Sequence, residues 1–237
     1  MKKPIVFILL SALVLLSGCS AGNEASSPAG ETREILPRDV TGDLLLVVDF
    51  QNVYMPGNEW ACPSMPAAMA NTMKIMDAPN APDCVMTRFV APAEPAGRWV
   101  DYNEAYRDIN ENAFLSEIPE EFAPYAQRAV VIDKSTYSSL DAPEVRATAE
   151  GKKAVVLAGV VADCCVIATM YDAIDMGYEV VYLYDCIGGS SPESEEDIRA
   201  LAAQIEAFLS DDCLCVVGSD EKVRSEKERF DKLTKLQ

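Results

Sequence analysis

Six short apolar runs, separated by stretches of helical periodicity, constrain the fold of this chain more than any other feature. The runs are rich in Val, Ile and Leu and do not alternate with polar residues, which is typical of strands buried on both faces. Strands that alternate with helices pair in parallel, so the pattern predicts a three-layer α/β/α fold around a six-stranded parallel sheet. The predicted strands are Leu44–Asp49, Cys84–Phe89, Ala129–Ile132, Ala154–Ala158, Glu179–Tyr184 and Leu214–Val217, and the predicted helices include Pro66–Asp77 and Cys165–Met176.

Composition excludes several classes of function. The chain has 237 residues, with 20 Lys or Arg against 38 Asp or Glu, which gives a formal net charge of −18. A chain this acidic repels phosphate backbones, so we expect no nucleic-acid partner. It contains no histidine, which excludes Ser-His-Asp and Cys-His catalysis and zinc sites with imidazole ligands. Any chemistry must therefore use carboxylates, lysines, hydroxyls or thiols.

The N-terminus has the pattern of an export signal. Two lysines precede an apolar run over residues 5–16 that is too short to span a bilayer comfortably. The run ends in Leu-Ser-Gly-Cys19, which resembles the lipobox of bacterial lipoproteins; the other interpretation is an ordinary signal peptide. We therefore expect a signal peptide over residues 1–18, a lipidated Cys19 and a flexible tether over residues 19–40. The protein would then lie outside the cytoplasmic membrane, held by a lipid anchor.

The rest of the chain is expected to form one domain over residues 41–218 and a charge-dense tail over residues 219–237. Within the domain, residues 91–127 fit neither the strand nor the helix period. A segment of this length predicts a lid, a pocket wall or an inserted helix pair. The sequence does not determine the oligomeric state and leaves a homo-oligomer open.

Polar or reactive residues lie near the ends of three predicted strands. Asp49 ends the first strand, Lys134 follows the third, and Cys164 and Cys165 open the helix after the fourth. Ligands of open parallel sheets bind beyond the carboxyl ends of the strands, so these side chains are candidate site residues. Each also has a plain structural interpretation, as a cap, a solvated lysine or small core thiols.

Together these segments resemble the isochorismatase-like cysteine hydrolases. The resemblance implies a Rossmann-like hydrolase fold and a catalytic triad of Asp49, Lys134 and Cys165, with Cys165 as nucleophile because Val-x-x-Thr follows it directly. It also implies a cis peptide bond between Val160 and Val161 and an oxyanion hole formed by the backbone amides of Val161 and Cys165. The segments are Leu-Leu-Val-Val-Asp49-Phe-Gln-Asn, Lys134-Ser-Thr-Tyr-Ser-Ser and Ala158-Gly-Val-Val-Ala-Asp-Cys-Cys165-Val-Ile-Ala-Thr.

The chemistry of these residue types agrees with that assignment. A thiol attacks as the thiolate, and both Lys134 and the dipole of the helix that begins near Cys165 are expected to lower the thiol pKa. Asp49 would take the thiol proton and pass it to the leaving group. We therefore expect hydrolysis of a C–N bond in a small amide, carbamoyl compound or ureide through a covalent acyl-enzyme.

Departures from the family narrow this expectation. Nicotinamidases of the family hold a metal with an Asp-x-His pattern and a second His, whereas this chain reads Thr87-Arg-Phe-Val-Ala-Pro-Ala-Glu there. We therefore expect no metal and no cofactor. Isochorismatases proper, which cleave a vinyl ether, lack the nucleophilic cysteine, so the metal-free branch that resembles N-carbamoylsarcosine amidohydrolase fits best.

Other functions stay open at this point. A surface-anchored protein that binds a small molecule without turnover is one alternative, vinyl-ether hydrolysis is another, and thiol-redox chemistry at Cys164 and Cys165 is a third. In the enzyme interpretation, the substrate pocket is expected to use aromatic and polar residues near the strand ends, namely Asn52, Tyr54, Trp60, Arg88, Trp99 and Tyr137.

Overall fold

The computed structural model describes residues 42–79 and 81–204. Its five strands form one parallel sheet in the order β3-β2-β1-β4-β5, which confirms the predicted parallel α/β architecture. Five predicted strands are present, and the sixth, Leu214–Val217, lies outside the described residues. The strands are β1 (Leu44–Val48), β2 (Asp83–Phe89), β3 (Val130–Lys134), β4 (Ala154–Val160) and β5 (Glu179–Gly188).

Helices connect and flank these strands. Helix α1 packs against β4 and β5, and α7 packs against β5. Two 3-10 helices (Asn52–Tyr54 and Ser139–Asp141) and a π-helical turn (Ala162–Val166) complete the connections. The α-helices are α1 (Met65–Met76), α2 (Trp99–Ala105), α3 (Arg107–Asn110), α4 (Ala113–Ser116), α5 (Ala123–Ala126), α6 (Pro143–Ala149), α7 (Ile167–Asp175) and α8 (Pro192–Gln204).

The central strands β1 and β4 determine where a site can form. Every residue of both strands is buried, as their unbroken apolar sequences predict. They pair in parallel with Val48 opposite Gly159. The chain continues from β1 towards β2 on one side of the sheet, whereas β4 leads to β5 on the other. The segments after β1 and β4 therefore diverge and leave a crevice at the carboxyl ends of these two strands.

Gly159 permits the close approach of β4 to the end of β1. Its φ is +120°, a conformation that L-residues rarely adopt. A Cβ atom at this position would collide with the backbone of Val48.

The segment over residues 91–127 contains the four short helices α2 to α5 instead of a single helix pair. The predicted helix Pro66–Asp77 is confirmed as α1. Strand β5 extends past the predicted end at Tyr184, because a register shift opposite residues 157–159 lets the chain rejoin the sheet as far as Gly188.

Among the described residues, no helix is long and apolar enough to cross a membrane. The predicted signal peptide, the Cys19 lipidation site, the tether and the tail from residue 219 all lie outside the described residues and stay predictions.

Candidate active site

Asp49 lies directly after β1 and is fully buried. Its φ is +52°, in the left-handed region that few residues other than glycine occupy, and such conformations are concentrated at functional sites. Its amide donates to the carbonyl oxygen of Thr87 at 3.1 Å, and the Thr87 hydroxyl donates to Asp49 Oδ1 at 2.8 Å. Strand β2 therefore holds both the backbone and the side chain of Asp49.

Lys134 approaches Asp49 from β3, which lies on the opposite side of β2 from β1. It is the last residue of β3, its side chain is 1% exposed, and its Nζ lies 2.7 Å from Asp49 Oδ2. Nζ also donates to the carbonyl oxygens of Thr136 at 2.8 Å and Tyr137 at 3.0 Å. Burial is the largest single influence and opposes the charge of Lys134, but Asp49 and Cys165 together outweigh it and raise the lysine pKa. The two residues form a buried, oppositely charged pair.

Cys165 lies in the π-helical turn after β4 and is 3% exposed. Its thiol lies close enough to both the Asp49 carboxylate and Lys134 to interact with them. Burial and the charge of Asp49 raise the thiol pKa well above its usual value, and Lys134 offsets only part of this rise. The predicted lowering of the thiol pKa is therefore wrong for the resting protein, because burial and the carboxylate outweigh the lysine. Cys165 rests as a protonated thiol beside a carboxylate that can accept its proton.

Asp49 Oδ2 is the oxygen available for this proton transfer. Oδ1 accepts the hydrogen bond from Thr87. Oδ2 is buried and has no well-aligned hydrogen-bond donor among the described residues, although its charge is balanced by Lys134 at 2.7 Å. An acceptor in this state is suited to take a proton from a neighbouring thiol.

The peptide bond between Val160 and Val161 is cis, as the family resemblance implies. The amides of Cys164 and Val166 both donate to the carbonyl oxygen of Val161, at 3.0 Å and 3.1 Å. These hydrogen bonds close the π-helical turn and occupy the amides on either side of Cys165. The backbone amides of Val161 and Cys165 stay the predicted oxyanion donors.

Four predicted pocket residues form an aromatic wall near the thiol. Burial, together with Cys165 and Asp49, raises the pKa of Tyr54 well above its usual value, so Tyr54 is a neutral phenol beside the triad. The Trp60 ring lies 6.0 Å from the Tyr54 ring. The rings of Trp99 and Tyr137 lie 5.2 Å apart, and Tyr137 is close enough to Cys165 for the two to interact electrostatically.

The structure does not bring the other two predicted pocket residues to the triad. Arg88 binds Asp133 through two hydrogen bonds, at 2.7 Å and 3.0 Å, and also contacts Glu117 at 3.3 Å. It alternates along β2 with Thr87 and Phe89, so its side chain points to the other face of the sheet. The Asn52 side chain donates to the carbonyl oxygen of Phe114 at 2.9 Å and therefore holds α4 in place.

Sequence reasoning missed two residues of the wall. The Tyr102 ring lies 5.2 Å from Trp99, and burial together with Tyr137 and Cys165 raises the pKa of its hydroxyl. Its spacing of three residues from Trp99, one helical turn, is a signal that could have revealed it. The other is Phe89, whose ring lies 5.5 Å from Lys134 Nζ. Phe89 is the last residue of β2, and an apolar residue in a strand predicts a place in the core and not in a site.

A small cleft adjoins this wall. The amide of Gln51 lines it but is fully engaged, since it donates to the carbonyl oxygens of Phe89 and Ser116 and accepts from the amide of Phe89. Asn110 also lines the cleft, and its buried Nδ2 has no hydrogen-bond partner within residues 42–79 and 81–204. Asn110 is therefore a polar donor in an otherwise largely apolar lining.

Comparison with known proteins identifies the family. A family model described as the isochorismatase domain matches residues 43–211. The chain belongs to the isochorismatase-like hydrolase family. No curated protein sequence matches it.

Solved structures of isochorismatase-like proteins share the fold of this chain. A cysteine hydrolase from Pseudomonas syringae pv. phaseolicola 1448A has a TM-score of 0.62 at 18% identity, covering 75% of this chain and 91% of that chain. N-carbamoylsarcosine amidase from Thermoplasma acidophilum has a TM-score of 0.53 at 21% identity, covering 67% of this chain and 91% of that chain. Pyrazinamidase of Pyrococcus horikoshii, solved in complex with zinc, has a TM-score of 0.52 at 26% identity, covering 71% of this chain and 97% of that chain.

The described residues of this isochorismatase-like chain do not match the ligand pattern that the family resemblance implies for metal-binding members. Within residues 42–79 and 81–204, no three Cys, Asp or Glu side chains are grouped as metal ligands. After β2, where the family resemblance implies an Asp-x-His pattern, Arg88 is occupied by Asp133 and Phe89 lies beside Lys134. A cation and a phenyl ring cannot replace carboxylate and imidazole ligands.

Proposed function

We propose that the protein is a metal-independent cysteine hydrolase that cleaves a C–N bond in a small amide, carbamoyl compound or ureide. The observation that carries the proposal is the contact of the Cys165 thiol with the Asp49 carboxylate, which is ion-paired with Lys134 at 2.7 Å. A buried ion pair is weak evidence for stability, because hydrophobic residues of similar volume often serve as well. Its position against a thiol therefore argues for a chemical role.

In the first half of the reaction, Cys165 Sγ attacks the substrate carbonyl carbon while its proton moves to Asp49 Oδ2. The C–N bond then breaks, and the departing nitrogen takes that proton, leaving a thioester on Cys165. Negative charge develops on the carbonyl oxygen during attack, and the amides of Val161 and Cys165 would stabilise it. Lys134 balances the charge of Asp49 before the proton arrives and again after the proton has passed to the leaving group.

In the second half, a water molecule attacks the thioester carbonyl carbon and gives a proton to Asp49 Oδ2. The C–S bond breaks, the acid product leaves, and the proton returns to Cys165. Asp49 thus acts in turn as base and acid in both halves, which is the work that histidine does in other cysteine hydrolases.

The aromatic wall would hold the part of the substrate that does not react. Tyr54, Tyr102 and Tyr137 all interact electrostatically with Cys165, so a substrate carbonyl at the thiol would have flat rings beside it. The cleft with the unpaired Asn110 donor adjoins the same wall and suits an uncharged hydrogen-bond acceptor.

We further propose that the enzyme works outside the cytoplasmic membrane, anchored by a lipid on Cys19. The proposal rests on the sequence alone: a charged start, a short apolar run and a lipobox-like end. Small-molecule substrates would then be met in the extracytoplasmic space, and no partner beyond the substrate and the lipid anchor is required.

Two alternatives remain distinguishable. A binding protein of the same fold would hold a ligand without turnover, yet it has no use for a thiol in contact with a base. Vinyl-ether hydrolysis needs no cysteine nucleophile, and the contact of Cys165 with Asp49 argues against it.

A substrate screen tests the proposal. The purified full-length protein in detergent is incubated with primary amides, N-carbamoyl amino acids and ureides, and ammonia release is measured beside Cys165→Ala. We expect at least one of these classes to release ammonia in a Cys165-dependent manner. Binding of a panel compound with no release by the wild type favours the binding protein, and release that Cys165→Ala retains contradicts the proposed nucleophile.

A further inference from the structure

A chain of buried hydroxyl groups lies behind Asp49. Thr87 Oγ1 donates to Asp49 Oδ1 at 2.8 Å, and the Ser139 hydroxyl lies 3.0 Å from Thr87 Oγ1. Thr87 is 1% exposed and Ser139 is fully buried. We use the term hydroxyl chain for the series in which the hydroxyls of Ser139 and Thr87 lead to the carboxylate of Asp49. It joins the end of β1, strand β2 and the 3-10 helix that follows β3.

Chemistry determines the direction of these hydrogen bonds. A carboxylate only accepts hydrogen bonds, and a threonine hydroxyl has one proton to donate. Thr87 gives that proton to Asp49, so the contact between the two hydroxyls must be a donation from Ser139 to Thr87. The hydroxyl chain therefore runs from Ser139 through Thr87 to Oδ1 and leaves Oδ2 for Lys134 and the thiol.

The same serine is also linked to the nucleophile. The backbone amide of Ser139 donates to Thr169 Oγ1 at 2.9 Å, and Thr169 Oγ1 donates to the carbonyl oxygen of Cys165 at 2.7 Å. Thr169 is fully buried. One buried residue therefore connects, by hydrogen bonds alone, the carboxylate that acts as base and the backbone of the residue that attacks.

We propose that Thr87 and Ser139 are positioning residues for the acid–base chemistry of Asp49. This inference rests on the proposed function and adds to it. The hydroxyl chain holds Oδ1 against β2, so that only Oδ2 exchanges protons with Cys165, the leaving group and water. Neither residue touches the substrate in this scheme.

The other ionisable groups that face Asp49 are few. Lys134 from β3, Cys165 from the π-helical turn and Tyr54 from the first 3-10 helix interact with it electrostatically. Loss of the Thr87 donor leaves all three in place. A loss of kcat in Thr87→Val can therefore be assigned to the lost hydrogen bond.

The central test compares Thr87→Val with Thr87→Ser and with Thr72→Val. Valine keeps the shape of threonine and removes the hydroxyl, whereas serine keeps the hydroxyl. Thr72 is an equally buried threonine on α1 whose hydroxyl donates to the carbonyl oxygen of Ala68 at 2.8 Å, so Thr72→Val is the matched control. The measurements are kcat and KM, determined separately with a substrate identified in the ammonia screen.

We expect Thr87→Val to lower kcat by roughly tenfold to a hundredfold, the scale of losses from misplaced catalytic groups, with little change in KM. Thr87→Ser should recover most of kcat, and Thr72→Val should leave both parameters as in the wild type.

A second variant tests the order within the hydroxyl chain. Ser139→Ala keeps the backbone amide that binds Thr169 and removes only the hydroxyl, so we expect a smaller loss of kcat than in Thr87→Val. Because Ser139 acts through Thr87, the double variant should be no slower than Thr87→Val alone. Additive losses in the double variant contradict the proposed chain.

Two outcomes separate this inference from the proposed function. If Thr87→Val keeps kcat within about twofold of the wild type, or loses no more than Thr72→Val, the positioning role is wrong while the hydrolase proposal stands. If no compound is turned over, the rate of Cys165 alkylation by iodoacetamide, mapped by peptide mass spectrometry, replaces kcat. Alkylation of Cys165 should then be slower in Thr87→Val than in Thr87→Ser and Thr72→Val, and an unchanged rate overturns the inference.

Discussion

The buried ion pair between Asp49 and Lys134 yields a prediction about stability. Both side chains are 1% exposed or less, and Lys134 Nζ lies 2.7 Å from Asp49 Oδ2. At this distance and an effective dielectric constant of about 20, the attraction is about 6 kcal/mol, which offsets the cost of removing both charges from water. Removal of one partner leaves the other charge buried without compensation.

We expect Asp49→Asn and Lys134→Met each to lower the free energy of unfolding by about 3–5 kcal/mol. For a domain of this size, that corresponds to a fall in Tm of about 6–20 °C. The double variant leaves no buried charge, so its loss should be clearly smaller than the two single losses combined. Urea unfolding followed by circular dichroism at neutral pH, in a double-mutant cycle, measures the coupling directly.

An exposed ion pair of the same length is the control. Arg128 and Asp77 lie 2.7 Å apart with side chains 52% and 54% exposed, so Arg128→Met should cost far less, because solvent screens the pair. Since the pKa of Lys134 is raised in the folded state, its contribution is fully present below the unfolded pKa of about 10.4 and is lost as pH rises through the higher folded value. Single losses that simply add, or that match the surface control, refute this account of the buried pair.

Three further predictions test other parts of the account. Exhaustive chelation of metal ions should leave turnover unchanged. Loss of turnover on chelation, with recovery on adding zinc or manganese, contradicts the metal-free site. Cys19→Ala should release the protein from membranes and block processing of the signal peptide, whereas a wild type found in the soluble fraction of cells excludes the anchor. Gly159→Ala should destabilise the fold more than Gly177→Ala in thermal unfolding, because both glycines have positive φ but only the Cβ at position 159 collides with backbone; equal losses exclude the close approach as the cause.

The sheet could be predicted from sequence because its physical cause is local. Strands such as β1 and β4 are buried on both faces, so each of their residues is apolar and the run is visible without knowing its neighbours. The ends of β5 could not be read this way. Its continuation past Asp185 depends on a register shift against β4, and such pairing is a property of two strands together.

The same contrast holds for the candidate site: the residues of the predicted triad could be proposed from the sequence, whereas their environment could not. Asp49 and Cys165 lie in segments that resemble a known family, so they could be proposed from residue types and order. The high pKa of the Cys165 thiol depends on how deeply the fold buries it beside Asp49, and sequence carries no measure of that depth. The sequence predicts Arg88 in the substrate pocket because it does not reveal that Asp133, its partner on the neighbouring strand, lies directly opposite in register.

Accessibility and catalysis make opposite predictions for the two adjacent cysteines. Cys164 is partly exposed, whereas Cys165 is 3% exposed, so a reagent that follows exposure alone should prefer Cys164. Asp49 interacts with the Cys165 thiol, whereas burial and the charge of Asp163 raise the pKa of the Cys164 thiol. The Asp163 oxygens already accept hydrogen bonds from Ser190 and Ser194, while Asp49 Oδ2 is available to take the proton of Cys165.

The most direct test of the central claim is to find which cysteine carries the acyl group during turnover. The full-length protein is mixed with a substrate from the ammonia screen, quenched in acid during steady-state turnover and mapped by peptide mass spectrometry. The account predicts an acyl group on Cys165 that persists in Cys164→Ala, together with loss of essentially all turnover in Cys165→Ala. An acyl group on Cys164, or turnover retained by Cys165→Ala, contradicts the proposed nucleophile and with it the roles assigned to Asp49 and the oxyanion amides.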